Sequence, residues 1–217
     1  MKNIKKIPLI LSILSVLTFF TPVNAEVKVV TSIKPLHSLA SYLMDGVAKP
    51  DLIVDGYASP HGFAMKPSHA KMLQNADLIF WVGEDLESFL EKPLSSIAKK
   101  AEKIELMETK GLQVLKFRER NIFDEHDDHD DHDDHGKKEE HDDHDDHDGH
   151  EGHAHGEYDP HIWLDPMNAK VILNEMVEHL IENDAKNAAK YKSNLKKALK
   201  EIDKLNKDVK ANDRTFD

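Results

Sequence analysis

The feature that most limits the fold of this 217-residue chain is an acidic, histidine-rich tract over residues 124–157. The tract holds 17 acidic residues, 2 basic residues and 10 histidines, and its only apolar side chain is Ala154. A segment of this composition has nothing with which to form a core, so we expect a disordered loop. Globular structure must therefore come from the residues on either side.

The charge of the chain is concentrated in the same tract. The whole chain has a formal net charge of −12, whereas the tract alone has −15 and the remainder +3. An acidic balance argues against a general nucleic-acid-binding protein. The absence of cysteine excludes disulfide scaffolds, thiolate zinc sites, iron–sulfur clusters and cysteine nucleophiles. Any metal ligands must be His, Asp or Glu.

The first 25 residues have the pattern of a secretory signal peptide. Three lysines fall within the first six residues, residues 7–20 are mostly apolar, and Val23 and Ala25 suit a cleavage site. The apolar run is shorter than the ~20 residues of a membrane-spanning helix. We expect cleavage after Ala25. Without a cysteine for lipid attachment, the product is expected to be a soluble periplasmic protein with no covalent membrane anchor.

Short β-prone runs alternate with helical patterns before the tract. This alternation predicts βαβ units and a small doubly wound parallel sheet, with ligands beyond the carboxyl ends of its strands. Proline at positions 35 and 67 suits the first turn of a helix. The expected strands are residues 27–31, 52–54, 78–82 and 104–107, and the expected helices are residues 36–44, 68–75 and 87–100.

Two further helices are expected after the tract. Asn168 is the expected N-cap of the first. The second, over residues 185–210, has one apolar seam, which suits either a coiled-coil dimer or packing along its own domain. Residues 214–216 look like the start of a strand. The expected division is 1–25 signal peptide, 26–123 N-terminal α/β lobe, 124–157 loop, 158–184 return segment of that lobe, 185–211 long helix and 212–217 the start of a further strand; the resemblance given below makes the last two a linking helix and the start of a second lobe otherwise missing.

The tract is the most obvious metal-binding feature. Imidazoles interleaved with carboxylates favour zinc, copper, nickel or cobalt, and a flexible tract provides several weak, exchangeable sites. A merely solvated acidic linker would not need ten histidines. The candidate ligands are His126, His129, His132, His135, His141, His144, His147, His150, His153 and His155.

His61 and His161 are more specific candidates for metal ligands than the histidines of the tract. Each follows a proline at a point where a strand or loop gives way to a helix. Either one alone is more often an ordinary surface or capping residue, but two that converge on one cleft would suit zinc. Asp159 and Asp165 fit turn residues or groups that orient an imidazole. The other histidines, His37, His69 and His179, are expected to be structural or solvent-facing, and the aromatics Trp81, Phe89 and Trp163 to lie in the core.

Taken in order, several motifs resemble the ZnuA-type periplasmic zinc-binding proteins of bacterial ABC importers, which belong to the metal-binding cluster of substrate-binding proteins. The resemblance covers essentially the whole chain after Ala25. It rests on Thr-Ser-Ile-Lys-Pro at 31–35, Ser-Pro-His-Gly-Phe-Ala-Met-Lys-Pro-Ser at 59–68, Gln-Asn-Ala-Asp at 74–77, Trp-Val-Gly-Glu at 81–84, the acidic loop, and His-Ile-Trp-Leu at 161–164.

The resemblance implies a function and a partial ligand set. It makes His61 and His161 two metal ligands facing a cleft between lobes, with a third histidine supplied by a second lobe after the linking helix. Some relatives have an acidic residue before the first histidine, where this chain has Pro60, so water is the default fourth ligand. The implied protein is a monomer that captures Zn²⁺ and delivers it to an ABC-transporter membrane permease.

Other functions remain open on the residues alone. A manganese-binding relative is a close rival, although manganese favours carboxylates over imidazoles. A periplasmic zinc buffer or chaperone could act through the tract itself. A zinc hydrolase would need a general base and a substrate pocket that we do not find. Because phosphate loops, nucleophile elbows and His-Glu-x-x-His helices are absent from the sequence, we expect no enzyme.

Overall fold

A four-stranded parallel sheet forms the centre of the lobe. The computed structural model describes residues 26–117 and 157–213. Its strands lie in the order β2-β1-β3-β4, and every neighbouring pair is parallel. The two central strands are buried along their whole length, as their continuous apolar sequence predicts. The strands are β1 (Val29–Thr31), β2 (Asp51–Leu52), β3 (Leu78–Trp81) and β4 (Glu102–Glu105).

Within residues 26–117 and 157–213, five α-helices accompany the sheet. They are α1 (Lys34–Leu43), α2 (Pro67–Asn75), α3 (Glu84–Ser96), α4 (Pro166–Asn183) and α5 (Ala188–Asp213). Proline lies in the first turn of α1 and α2, as expected. Three 3₁₀ turns, Leu106–Glu108, Ile162–Leu164 and Ala185–Asn187, complete the described elements.

The strand order confirms a doubly wound α/β fold. The chain crosses the sheet in one direction from β1 to β2 and in the opposite direction from β2 to β3 and β4. Because such crossovers are right-handed, α1 lies on one face of the sheet, and α2 and α3 lie on the opposite face. Consistent with this, α1 packs against α4 and α5, and α2 packs against α3. The direction of winding changes between β1 and β3, and the crevice at their carboxyl ends is where such folds bind ligands.

The predicted N-cap of α4 is wrong. The carboxylate of Asp165 caps this helix by accepting a hydrogen bond from the backbone N–H of Met167 at 2.7 Å. Asn168 lies inside the first turn and is buried, and its amide pairs with both backbone groups of Gln113. Asp and Asn cap helices about equally well, so the sequence did not decide between the two positions.

The long C-terminal helix packs on its own domain over its first half. Tyr191 is fully buried, and the Asn194 amide donates to the carbonyls of Leu43 and Asp45 at the end of α1. Farther along, Leu205 and Val209 are each more than half exposed. Of the two predicted roles for the apolar seam, intramolecular packing is therefore the one seen for this first half.

The residues on either side of the tract pair with each other. Lys116 and Tyr158 form an antiparallel bridge, and the N–H of Asp159 donates to the carbonyl of Leu115 at 2.8 Å. The expected signal peptide, the tract apart from Glu157, and residues 214–216 lie outside the described residues. Among the helices of 26–117 and 157–213, none combines the length and apolar character needed to cross a bilayer.

Candidate metal centre

His61 lies in the loop that follows β2, at the carboxyl end of the sheet. Its backbone N–H donates to the hydroxyl of Ser59 at 3.2 Å, and its side chain is exposed. Two residues later, Phe63 packs against Phe89 of α3 with ring centroids 5.0 Å apart, and it stacks on His69 of α2 at 5.4 Å. Aromatic packing of Phe63 therefore fixes the loop to the lobe while the His61 imidazole stays accessible.

Asp159 contacts both the backbone and the ring of His161. One carboxylate oxygen, Oδ1, accepts from the backbone N–H of His161 at 2.9 Å and lies 2.6 Å from its Nδ1. Partial burial acts to raise the pKa of Asp159, but the backbone N–H and the imidazole of His161 outweigh it and lower that pKa below its usual value. Asp159 is thus an anion that orients the ring, as its position in the sequence predicted.

The two imidazoles face each other across a small cleft. Their ring centroids lie 5.9 Å apart, and Trp163 packs against the ring of His161 at 5.2 Å. Trp163 packs against the hydrophobic core, as predicted, but it is only partly buried and also lines the cleft. The cleft has a volume of ≈ 270 Å³, and its remaining walls come from Ile33, Lys34, Pro35, Val54, Gly56, Ala58 and Pro60.

Sequence reasoning missed Lys34, which lines this cleft, and its contact with Tyr57. The Lys34 ammonium group donates to the carbonyl of Gly56 and lies 5.8 Å from the centroid of the Tyr57 ring. Tyr57 itself is fully exposed. The only available signal was their position, since Lys34 lies three residues after the predicted end of β1 and Tyr57 falls in the turn-rich segment before His61.

A buried carboxyl group lies at the same end of the sheet. Glu87 has no exposed surface, and its Oε2 accepts from the backbone N–H groups of Val82 and Gly83 at 2.8 and 3.1 Å. Burial raises the pKa of Glu87 to about 7, even though the two N–H groups favour the charged form. This glutamate secures the turn that leaves β3 and was not singled out by sequence reasoning.

The remaining histidines lie away from the cleft. Nε2 of His37 lies 3.1 Å from the carbonyl of Pro50. His69 is buried and accepts from the backbone N–H of Lys66, and burial, aided by the Lys66 charge, lowers its pKa. Both fit the structural role expected for them. His179 fits the structural alternative of its expectation and not the solvent-facing one, because its side chain is only 20% exposed and its Nδ1 lies 2.8 Å from Oε1 of Glu102 in β4.

Comparison with known proteins places the chain in a family. The family described as "ZnuA: Zinc-uptake complex component A periplasmic" matches residues 29–216. A protein named high-affinity zinc uptake system protein ZnuA from Brucella abortus (strain 2308) is 47% identical over 190 residues, covering 84% of this chain and 57% of that protein. The protein of the same name from Yersinia pestis is 33% identical over 184 residues.

Solved structures show the same fold. The Zn(II)-bound ZnuA-like domain of Streptococcus pneumoniae AdcA aligns with a TM-score of 0.60 and 17% identity, covering 84% of this chain and 54% of that one. A Mn-bound periplasmic metal-binding protein from Candidatus Liberibacter asiaticus aligns with a TM-score of 0.58 and 21% identity. This chain spans a little more than half the length of these relatives, and with nearly all of its described residues matched it belongs to the ZnuA family.

Proposed function

We propose that the complete protein captures Zn²⁺ in the periplasm and delivers it to the membrane permease of an ABC transporter. The observation that best supports this is the approach of His61 and His161 to 5.9 Å across a cleft at the carboxyl end of the sheet. Zinc is here the transported substrate. Capture requires a site that binds and releases an ion, and no covalent step is involved.

The spacing of the two rings suits one shared ion. Zn–N bonds of about 2.0–2.1 Å at a tetrahedral centre bring the centroids of two coordinating imidazoles to ~5 Å. A small rotation of the exposed His61 ring closes the remaining difference. Because Asp159 lies against Nδ1 of His161, the Nε2 atom of that ring is the one left to bind the ion.

The donor atoms favour zinc over manganese. Imidazole nitrogen suits zinc, whereas manganese prefers carboxylate and water oxygen. Pro60 precedes His61, so the residue before the first histidine offers no carboxylate. The names of the relatives agree with this choice, since the Brucella and Yersinia proteins are named for zinc uptake and the AdcA domain is Zn(II)-bound. A Mn-bound neighbour keeps manganese as the alternative ion.

The histidine-rich tract supplies additional weak sites close to the cleft. The described residues that flank it in sequence pair at Lys116 and Tyr158, and Tyr158 is three residues from His161. Zinc held by the tract is therefore concentrated beside the cleft and can pass between the two. A protein that acted only as a buffer through the tract would not need the ordered pair of imidazoles.

The domain organisation predicted from the sequence is part of this proposal. Residues 26–123 and 158–184 form the N-terminal lobe, residues 124–157 the loop, residues 185–211 the linking helix and residues 212–217 the start of a second lobe. That second lobe would supply a third histidine, and water would complete the site. The protein acts as a monomer and as a transport component, not as an enzyme.

Export of the protein is proposed to depend on residues 1–25. Cleavage after Ala25 leaves Glu26 as the first residue, three positions before the start of β1, and leaves no cysteine for lipid attachment. N-terminal sequencing of periplasmic material should give Glu-Val-Lys-Val. Recovery of the protein from membranes with Met1 intact would contradict the proposal.

The metal site is tested by titration with the tract deleted, so that its histidines do not contribute. The complete two-lobed protein should bind zinc tightly, and His61→Ala or His161→Ala should weaken binding by at least tenfold, equivalent to about 1.4 kcal/mol. His37→Ala is the matched control. The 217-residue form should bind only weakly, because it has two of the four donors. Calorimetry with a competing chelator measures each affinity.

Three outcomes would contradict the proposal. If His37→Ala is as damaging as the substitutions at His61 and His161, the site is on other residues. If tight binding disappears when the tract is deleted, the tract is the primary site and the protein is a buffer. If manganese competes on equal terms with zinc, the transported ion is manganese.

A further inference from the structure

A second group of metal-ligating side chains lies at the opposite end of the sheet from the cleft. Glu102 begins β4, and His179 and Glu182 lie near the C-terminal end of α4. One ligand atom from each of these three residues lies within 4.8 Å of the others. His179 is 13 positions beyond the start of α4, and at 1.5 Å per residue the group is ~20 Å from the His161 end of that helix.

The ring of His179 is directed into this group. Its Nδ1 lies 2.8 Å from Oε1 of Glu102 and 3.7 Å from Oε2 of Glu182. This nitrogen is buried, and within 26–117 and 157–213 no acceptor is oriented to form a hydrogen bond with it. A nitrogen that faces two carboxylates without hydrogen bonding to either has the environment of a metal ligand.

Two neighbouring side chains hold the ligands in place. On the other side of the imidazole, Oε1 of Glu175 lies 3.3 Å from Nε2 of His179. The amide of Asn183 donates to Oε2 of Glu102 at 2.7 Å, which leaves Oε1 of that carboxylate facing the ring. Metal-binding histidines commonly have a carboxylate on their second nitrogen, and metal-binding carboxylates are themselves hydrogen-bonded.

We propose that Glu102, His179 and Glu182 bind a zinc ion or a similar borderline divalent cation, separately from the cleft site. One imidazole and two carboxylates provide three ligands of the types zinc uses, and water completes a tetrahedron. The donor atoms of a tetrahedral zinc centre lie ~3.4 Å apart. This distance falls between the 2.8 and 3.7 Å that separate Nδ1 of His179 from the oxygens of Glu102 and Glu182. Glu182 is 69% exposed and can move the short distance required.

Binding at this group would have a structural consequence. The ion joins the first residue of β4 to the last turns of α4, two elements far apart in sequence. It also offsets the repulsion among three carboxylates gathered around one imidazole. Because the group is ~20 Å from the cleft, an ion here does not compete for the ligands His61 and His161.

The test follows the His179 imidazole in the full 217-residue chain. The ¹⁵N and ¹H signals of its ring, assigned with His179→Gln, are recorded while a chelator buffer sets the free Zn²⁺ concentration. This readout is specific to one ring, so zinc bound elsewhere does not obscure it. We expect a metal-bound His179 signal that saturates. Glu102→Gln should raise the zinc midpoint at least tenfold, because loss of a direct ligand costs no less than the tenfold minimum for loss of an outer-shell partner.

Glu178→Gln provides the matched control. Glu178 is exposed and adjacent to His179, and this substitution removes the same charge without removing a ligand. Its midpoint should equal that of the unmodified chain. The proposal is overturned if His179 does not respond to zinc, or if Glu102→Gln shifts the midpoint no more than Glu178→Gln, since the group would then be a network of ion pairs only.

Discussion

Oδ1 of Asp159 contacts both the backbone N–H and the imidazole of His161, at 2.9 and 2.6 Å. The two contacts fix different properties. The backbone contact fixes the turn that begins at Asp159, and the ring contact fixes the orientation of the imidazole and leaves its Nε2 free of Asp159. One carboxylate therefore positions both the chain and the side chain proposed as a metal ligand.

The first prediction concerns this carboxylate. Asp159→Asn keeps an oxygen that can accept the backbone hydrogen bond but removes the negative charge beside Nδ1. Zinc affinity of the complete protein should fall by ~10–100-fold, as is typical when the partner of a metal-binding histidine is lost. Titration against a competing chelator in the tract-deleted background measures the change. Lys116 is exposed and precedes the tract in sequence, so Lys116→Gln should leave the zinc affinity unaltered.

The second prediction concerns the pH dependence of stability. Glu87 has its pKa raised to about 7 in the folded lobe, against ~4.3 in an unfolded chain. Its contribution to stability is therefore fully present below pH ~4.3 and is lost as the pH rises through about 7. Relative to Glu87→Gln, which stays neutral, the unmodified lobe should lose about 3 kcal/mol of unfolding free energy over that interval.

Urea denaturation of both proteins at several pH values measures this difference. Other titrating groups cancel in the comparison, because only position 87 differs. Glu91→Gln, an exposed change on the same helix, should show no comparable trend. A constant difference between Glu87→Gln and the unmodified protein from pH 4 to pH 8 would show that Glu87 is ionised throughout that range.

The third prediction concerns the independence of the lobe from the tract. Because Lys116 and Tyr158 already pair, residues 118–156 can be replaced by an Asn-Gly turn without disturbing the sheet or α4. The thermal midpoint should change by only a few degrees, whereas the number of zinc ions bound should fall sharply. Calorimetry and metal analysis of the same sample give both values, and a large drop in the midpoint would contradict this independence.

The fourth prediction concerns Asn168. Asn168→Ala leaves the backbone N–H and carbonyl of Gln113 without the amide that satisfies both, so unfolding free energy should fall by roughly 1–3 kcal/mol. Asn174→Ala, at an exposed position on the same helix, should be neutral or slightly stabilising because alanine favours helix. Urea denaturation measures the unfolding free energy of both variants. Equal losses of unfolding free energy would mean that the contact between Asn168 and Gln113 does not stabilise the protein.

Much of the fold was predictable because its periodicities are strong. The runs at β1 and β3 are nearly continuously apolar, which is typical of strands buried on both faces. Proline at 35 and 67 marked two helix starts. The ends of elements were less predictable, as α3 begins at Glu84 and stops at Ser96 instead of spanning residues 87–100. Glu87 has non-helical backbone angles there, because its side chain turns back to the β3 turn.

The candidate ligands could be chosen from the sequence, whereas the residues around them could not. His61 and His161 were chosen from the turns they occupy, and Asp159 from its place two residues before an imidazole. The convergence of residues 100 positions apart is a property of the sheet order, which no local pattern contains. For the same reason, the approach of Glu102 to His179 could not be found from the sequence.

The hydrogen bonds joining Leu115 to Asp159 and Phe117 to Glu157 also bear on how such a protein can evolve. With both ends of the insertion fixed, its length has little effect on the rest of the lobe, since doubling a closed loop adds only about 0.6 kcal/mol of closure entropy. The number and spacing of histidines in the insertion can therefore change without altering the residues that build the cleft.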